Sequence, residues 1–301
     1  MIFKLDNTII TNQQDCLYTF AHALQHAQER LHYVVMERPV MEWIELNILS
    51  NPTYLSELDI ELIKKDQFFM HPSALESRTL RTVLVGQGTN MLTIEQMLDV
   101  VDEPGVVVLE NGLNDWSVLW GWTNLLSKRR CTNKVINESV MNAMEKALLR
   151  NENAGGGSGT IKNRITSIKP NYKGLHAFRV TTIFDSDKES VQDTVDHNAS
   201  LKQFLTTEKM KWHELSRREM ENYFPIEVYQ RAGLIAQELV LPANIMNNWA
   251  YEDIEKVKGI NYAKKNLPLL IGELSYHDLE TLGGEVLDEI QNILLHLAKY
   301  I

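Results

Sequence analysis

Cysteine is almost missing: Cys16 and Cys131 are the only two in 301 residues. They lie far apart, without a CxxC spacing or histidine neighbours, which excludes a disulfide framework and a zinc site built on cysteine pairs. A reducing cytoplasm is the compartment this predicts. Long apolar runs are missing too. Nothing approaches the roughly 20 residues that cross a bilayer, so no membrane association is expected. The opening stretch, MIFKLDNTIITNQQD, has no basic region ahead of a long apolar segment and predicts no secretory signal. Acids are missing from two stretches, 116–137 and 155–184, although the chain carries a net charge of −10. That balance excludes a protein that coats nucleic acid through its whole surface. The acid-free stretches hold Lys128, Arg129, Arg130 and Lys134 in the first, and Lys162, Arg164, Lys169, Lys173 and Arg179 in the second. They are either solvated surfaces or a local basic groove that holds a polyanion.

What is present is a globular composition, 44% hydrophobic and 23% charged, long enough for one large domain or two ordinary ones. Apolar residues at helical spacing predict helices over 13–34, 40–49, 55–65 and 93–101, so 1–102 is expected to be a mostly helical scaffold or partner surface. The IFKLDNTII run at 2–10 resembles the nucleophile motif of haloacid-dehalogenase-like phosphatases. Lys4 stands where that motif needs its aspartate, so the chemistry is excluded.

From Gly105 the pattern changes to alternating strands and helices. Continuous apolar runs at 106–109 and 180–184 predict strands buried on both faces. The first ends in Glu110, the second in Asp185 and Asp187, and 210–215 predicts a third strand leading into SRREMENYF. Alternate strand residues share a face, so Asp185 and Asp187 are expected to leave in one direction, as a hard divalent cation requires. Strand ends in an open parallel sheet share an edge, so these acids should converge. Helices are expected over 115–126 and 137–149, the latter absorbing 147–153 as its end. Trp116, Trp120 and Trp122 fall at helical spacing, as core residues do. The glycine-rich run 155–159 then enters a helix whose amides suit a phosphate. It is not a P-loop, because Thr160 and Ile161 follow Gly159. Further helices are expected over 200–207, 227–239, 251–257 and 284–300.

The order VVVLENG, GGGSG, TTIFDSD, SRREMENYF resembles a Toprim domain. The last segment is similar to the nucleases of the overcoming-lysogenization-defect family and to the Toprim subunit of PARIS-type anti-phage systems, which works with a separate ATPase. The resemblance covers about 103–230. It implies an α/β fold there, a small parallel sheet flanked by helices, between the mostly helical regions that apolar spacing predicts at 1–102 and 231–301. It also implies Mg²⁺ or Mn²⁺ and hydrolysis of a DNA or RNA phosphodiester. Asp185 and Asp187 would hold one metal, and Glu110 would be a further ligand or general base. Asp115 and Glu221 would serve a second metal. Gly156, Gly157, Ser158, Lys162, Lys188, Arg217 and Arg218 would contact substrate phosphate, with Lys256 or Lys258 as further cations. Structural roles stay open beside these: Asp115 as a helix cap and Glu221 as a partner of Arg217. Asn111 follows Glu110, with glycine delayed to Gly112, and this irregular spacing keeps a second function open, a non-catalytic subunit that docks an ATPase or a nuclease. A third is a D-x-D nucleotide-sugar transferase, in which SRREMENYF has no place. The surplus of amphipathic helices leaves room for a homo-oligomer.

Overall fold

The computed structural model describes residues 1–10, 15–29, 32–65, 69–70, 80–128, 133–260 and 266–301; Arg129, Arg130 and Cys131 lie outside them. The chain divides into two compact units, each α/β with a small parallel sheet. The first comprises Met1–Gly105, Tyr172–Arg179 and Ala298–Ile301, and the second Val106–Asn171 and Val180–Leu297.

The first unit opens with β1 (Ile2–Leu5), α1 (Asp15–Glu29), β2 (Tyr33–Met36) and α2 (Arg38–Ile44), which runs into a π-turn at Glu45–Leu49. Next come α3 (Glu57–Lys65), β3 (Phe69–Met70), β4 (Thr82–Val85) and α4 (Ile94–Asp102). Strand order is β3-β2-β1-β4, every pair parallel, with Phe3 opposite Val34 and Val83. Phe3, Leu5, Val34, Met36, Val83 and Val85 line one face and pack on Phe20 and Leu24 of α1 and Met97 and Val101 of α4. Helices thus occupy much of the expected ground, but the sheet was not foreseen. Its strands are too short to show a period of their own. β2 overlaps the end of the run predicted as helix 13–34, at Tyr33 and Val34, where the β-branched Val34 and Val35 take up strand pairing.

The second unit begins at β5 (Gly105–Leu109), followed by α5 (Gly112–Ser127), α6 (Lys134–Glu145), β6 (Leu149–Asn153) and α7 (Ser158–Ile168). The chain passes back through the first unit, with one helical turn α8 (His176–Arg179). There the buried Arg179 donates to the carbonyl oxygens of Glu103 and Tyr300. It returns as β7 (Val180–Phe184), α9 (Ala199–Thr207) and β8 (Trp212–Glu214). The remainder is helical: α10 (Ile226–Arg231), α11 (Ala243–Asn247), α12 (Leu267–Glu273), α13 (Tyr276–Thr281) and α14 (Gly284–Leu297). Strand order is β6-β5-β7-β8, with β5, β7 and β8 parallel. All residues of β5 and β7 are buried, as their unbroken apolar text predicts. Thr181 and Thr182 survive there because their hydroxyls donate to the Lys211 and Val108 carbonyls at 2.9 and 2.7 Å.

Three expectations need correction. The segment 147–153 is not a helix end: Ala147 turns to φ +55 after α6 stops, and Leu149 buries itself as the start of β6. The helix expected over 227–239 stops at Arg231, where Gly233 takes φ +72 and its N–H bonds the Gln230 carbonyl. The run 251–257 holds only 3₁₀ turns. Nor do 231–297 form a separate region. They belong to the second unit, where α14 buries Val286, Ile290, Ile293 and Leu294.

Candidate metal and phosphate site

Because β5, β7 and β8 are parallel and in register, with Val108 opposite Thr182 and Phe184 opposite Glu214, their carboxyl ends share one edge. Glu110, Asp185 and Glu214 stand at that edge, as expected for the first two. Glu110 is held by the glycine loop. Gly155, Gly156 and Gly157 adopt φ of +91, +97 and +77, a path closed to most side chains. The loop folds over the end of β5, where the Gly156 N–H donates to the Glu110 carbonyl at 2.8 Å and the Gly157 N–H to Glu110 Oε2 at 3.0 Å. The start of α7 therefore faces a carboxylate, and one amide expected to meet phosphate holds Glu110 instead. Ser158 follows, but its side chain lies outside those described.

The delayed glycine has a packing reason. A Cβ on Gly112 would fall 2.7 Å from both Cα and Cβ of Asn153 in β6. Asn153 Oδ1 in turn accepts the N–H groups of Gly112 and Gly155, at 3.1 and 3.0 Å. Asp115 is buried in the first turn of α5, and its carboxylate reaches back to accept the N–H of Asn111 at 2.9 Å; Asn111, not Asp115, is the N-cap residue.

The strand-alternation argument for Asp185 and Asp187 does not survive. β7 ends at Phe184, and Asp187 takes the left-handed conformation, φ +56. A turn sets their directions: the Ser186 and Asp187 N–H groups both donate to the Arg218 carbonyl, and the Ser186 hydroxyl donates to the Arg217 carbonyl. Asp185 is buried and Asp187 half-buried. Asn198, buried at the start of α9, donates to the Asp185 carbonyl at 2.8 Å and to Glu214 Oε1 at 3.2 Å, and so ties β7 to β8. Glu214 Oε2 also pairs with Lys202 at 2.8 Å. Beyond the turn, Asp193 is held down to about 2 by its bond from His197 and the backbone amides of Val195 and Glu189.

The SRREMENYF stretch is turned inward. Arg217 Nη1 donates to the Asn222 carbonyl at 2.7 Å, its guanidinium covers the Tyr223 ring, and burial pulls its pKa down. Arg218 sits near Asp253 and Glu219, at 3.5 and 3.7 Å. Asn222 donates to the Trp249 and Glu252 carbonyls, and the Tyr229 hydroxyl to the Glu221 carbonyl. Glu221 itself is buried. Lys162 is exposed on α7, its ammonium 5.5 Å from the Phe204 ring centroid, and Lys188 is half-buried beside Ser186. Lys256 pairs with Asp253 at 2.7 Å. Trp122 is core and packs its ring 5.3 Å from that of Tyr223.

Sequence reasoning missed Asn198, Glu214 and Glu289. Glu289 of α14 accepts the Tyr223 hydroxyl at 2.6 Å, the Ser216 N–H at 2.7 Å, the Ser216 hydroxyl and His213 Nε2 at 3.2 Å. Burial opposes its charge, but these donors outweigh burial and hold the carboxyl below its ordinary value. Glu214 was visible as a strand-end acid. Glu289 carried no signal, being 66 residues from Tyr223.

Among the described residues no group of three or more histidine, cysteine or acidic side chains is gathered closely enough to hold a metal ion. The donor set at the edge is all hard oxygen, and one or two carboxylates with waters and phosphates suffice for Mg²⁺, so these residues fit that ion. Comparison with known protein families, curated proteins and solved structures returned no match. No helix among the described residues is long and apolar enough to cross a membrane.

Proposed function

We propose that the second unit is a Toprim-type, Mg²⁺- or Mn²⁺-dependent endonuclease that cleaves DNA or RNA, in a cytoplasmic anti-phage system with an ATPase partner. The observation that carries this reading is the placement of Glu110 and Asp185 at the carboxyl ends of adjacent parallel strands, with the glycine loop wrapped over the first. Glu110 and Asp185 would hold the ion, with Asp187 beside them. When bound, it would polarise the phosphodiester and lower the pKa of an attacking water. The Gly157 amide fixes the orientation of the Glu110 carboxylate, and Asn198 fixes the backbone from which Asp185 projects. Exposed Lys162, half-buried Lys188 and exposed Lys258 are cations available for substrate phosphate. Asp115, Arg217 and Arg218 are read as structural, on the bonds they make.

The test compares wild type with Asp185→Asn on plasmid, phage DNA and tRNA, with Mg²⁺ or Mn²⁺, alone and with any ATPase encoded beside it. Cleavage by wild type, reduced at least about 100-fold in the variant, is the expected result. Titration calorimetry with Mn²⁺ gives a second readout, and the variant should lose that heat. Wild type that neither binds Mn²⁺ nor cleaves overturns the proposal. A second reading, a non-catalytic docking subunit, is favoured by the inward commitment of SRREMENYF. It expects wild type and Asp185→Asn to act alike in cells.

A further inference from the structure

In the first unit the strand order β3-β2-β1-β4 reverses between β1 and β4. Open parallel sheets bind ligands outside the carboxyl ends of their strands at such a reversal. A cavity of about 200 Å³ lies there, lined by Ile9 after β1, Cys16 near the start of α1, Gly86 and Gln87 after β4, and Thr93, Ile94 and Glu95 at the start of α4. The turn that carries Gly86 and Gln87 is pinned to the end of β1 by a set of bonds. Asp6 Oδ1 accepts the Thr8 N–H and hydroxyl at 2.9 and 2.7 Å, and Thr8 Oγ1 accepts the Gln87 N–H at 3.0 Å. Gly86 is required for this closeness, since a Cβ there would lie 2.8 Å from Thr8 Oγ1. The other wall is equally fixed: Thr93 and Gln96 exchange side-chain and backbone bonds in a capping box, which sets where Glu95 projects.

The lining decides the ligand class. Ile9 and Ile94 offer apolar walls, Gln87 an amide and Glu95 a carboxylate; among the described residues no lysine, arginine or histidine lines the cavity. A phosphate is therefore not the group held inside. A ring between the isoleucines, its polar edge toward Gln87 and a vicinal diol toward Glu95, matches the set. An acid takes ribose hydroxyls in the same way in dinucleotide-binding crevices. The volume is below the roughly 300–1,000 Å³ of pockets for drug-sized ligands, which suits one nucleoside and not a nucleic-acid strand. Covalent phosphoryl chemistry is unsupported, because β1 presents Lys4 in place of a carboxylate and Asp6 is engaged with Thr8.

We propose that this cavity is a ribonucleoside-binding site, with Glu95 reading the ribose diol. It stands apart from the nuclease reading and does not depend on it. The test is titration calorimetry of the full chain with adenosine, guanosine, cytidine and uridine. At least one should bind with a Kd at or below about 1 mM. Glu95→Gln should weaken it about tenfold or more, since a diol bond to a charged acceptor is lost. The 2′,3′-dideoxy form should bind wild type as weakly as its parent binds the variant, with no further loss when the two changes are combined. The dideoxy comparison on wild type stands by itself should the variant fail to fold. No binding by any of the four, or equal binding by the dideoxy form, overturns the proposal.

Discussion

Glu289 is expected to hold the segment after β8 onto α14, and replacing it tests that assignment. Its side chain is 11% exposed and accepts from Tyr223, Ser216 and His213. The donors are unequal. Ser216 is exposed and His213 half-buried, so water replaces the lost acceptor there at about 0.5–1 kcal/mol each. Tyr223 is fully buried, and its 2.6 Å bond to a charged acceptor is worth about 1.5–3 kcal/mol. Glu289→Ala should therefore cost about 2.5–5 kcal/mol, most of it through Tyr223. A double-mutant cycle with Tyr223→Phe isolates that share. Because the chain has two units, the readout should be local: hydrogen exchange of β8 and α14 amides rather than one global melt. The pH dependence adds a sign. The folded pKa of Glu289 lies below the ordinary glutamate value, so its contribution is fully present above that ordinary value and is lost as pH falls through the folded pKa. The gap between wild type and Glu289→Gln should close below about pH 4.5. A Tyr223–Glu289 coupling under about 0.5 kcal/mol, or a gap that widens in acid, refutes the reasoning.

Gly112→Ala should destabilise the second unit by about 1–3 kcal/mol, because its Cβ would meet the Asn153 backbone at 2.7 Å. Denaturation checks this, and a neutral result would mean that β6 moves freely away from α5. Arg217→Lys should lower stability by about 1–3 kcal/mol, by loss of the bonds to the Asn222 and Leu282 carbonyls. It should leave the salt dependence of nucleic-acid binding unchanged; a slope smaller by about one phosphate contact would return Arg217 to the substrate.

Legibility in the sequence followed burial. β5 and β7 are buried on both faces, so their text is an unbroken apolar run that nothing else imitates, and Glu110 and Asp185 are readable as what comes next. β6 is LRNEN, with one apolar residue, and is a strand only because Ala147 turns and its neighbour β5 is there to pair. The first sheet was hidden for a related reason. YVVM continues the apolar spacing of α1, and a run of four residues is too short for its period to separate helix from strand. Asp187 was readable as an acid but not as a direction, because its orientation belongs to a left-handed turn pinned by the Arg218 carbonyl, 31 residues later.

SRREMENYF separates specificity of sequence from chemistry of site. Its pattern is the most distinctive in the chain, and a distinctive pattern invites a catalytic reading. Four of its side chains answer internal demands: Arg217 and Asn222 satisfy carbonyls, Arg218 neighbours two acids, and Tyr223 meets Glu289. A buried polar segment has to satisfy nearly every donor and acceptor it brings, so its residues constrain one another as tightly as catalytic groups do. The segment still serves the edge, because the carbonyls of Arg217 and Arg218 are what hold the turn after Asp185. Substitutions here should therefore reach the site through backbone position. In the Mn²⁺ titration, Asn222→Ala should weaken binding only as far as it loosens that turn, while Asp185→Asn abolishes it with the fold intact. Equal loss in both, with both folded, would place SRREMENYF among the ligands after all.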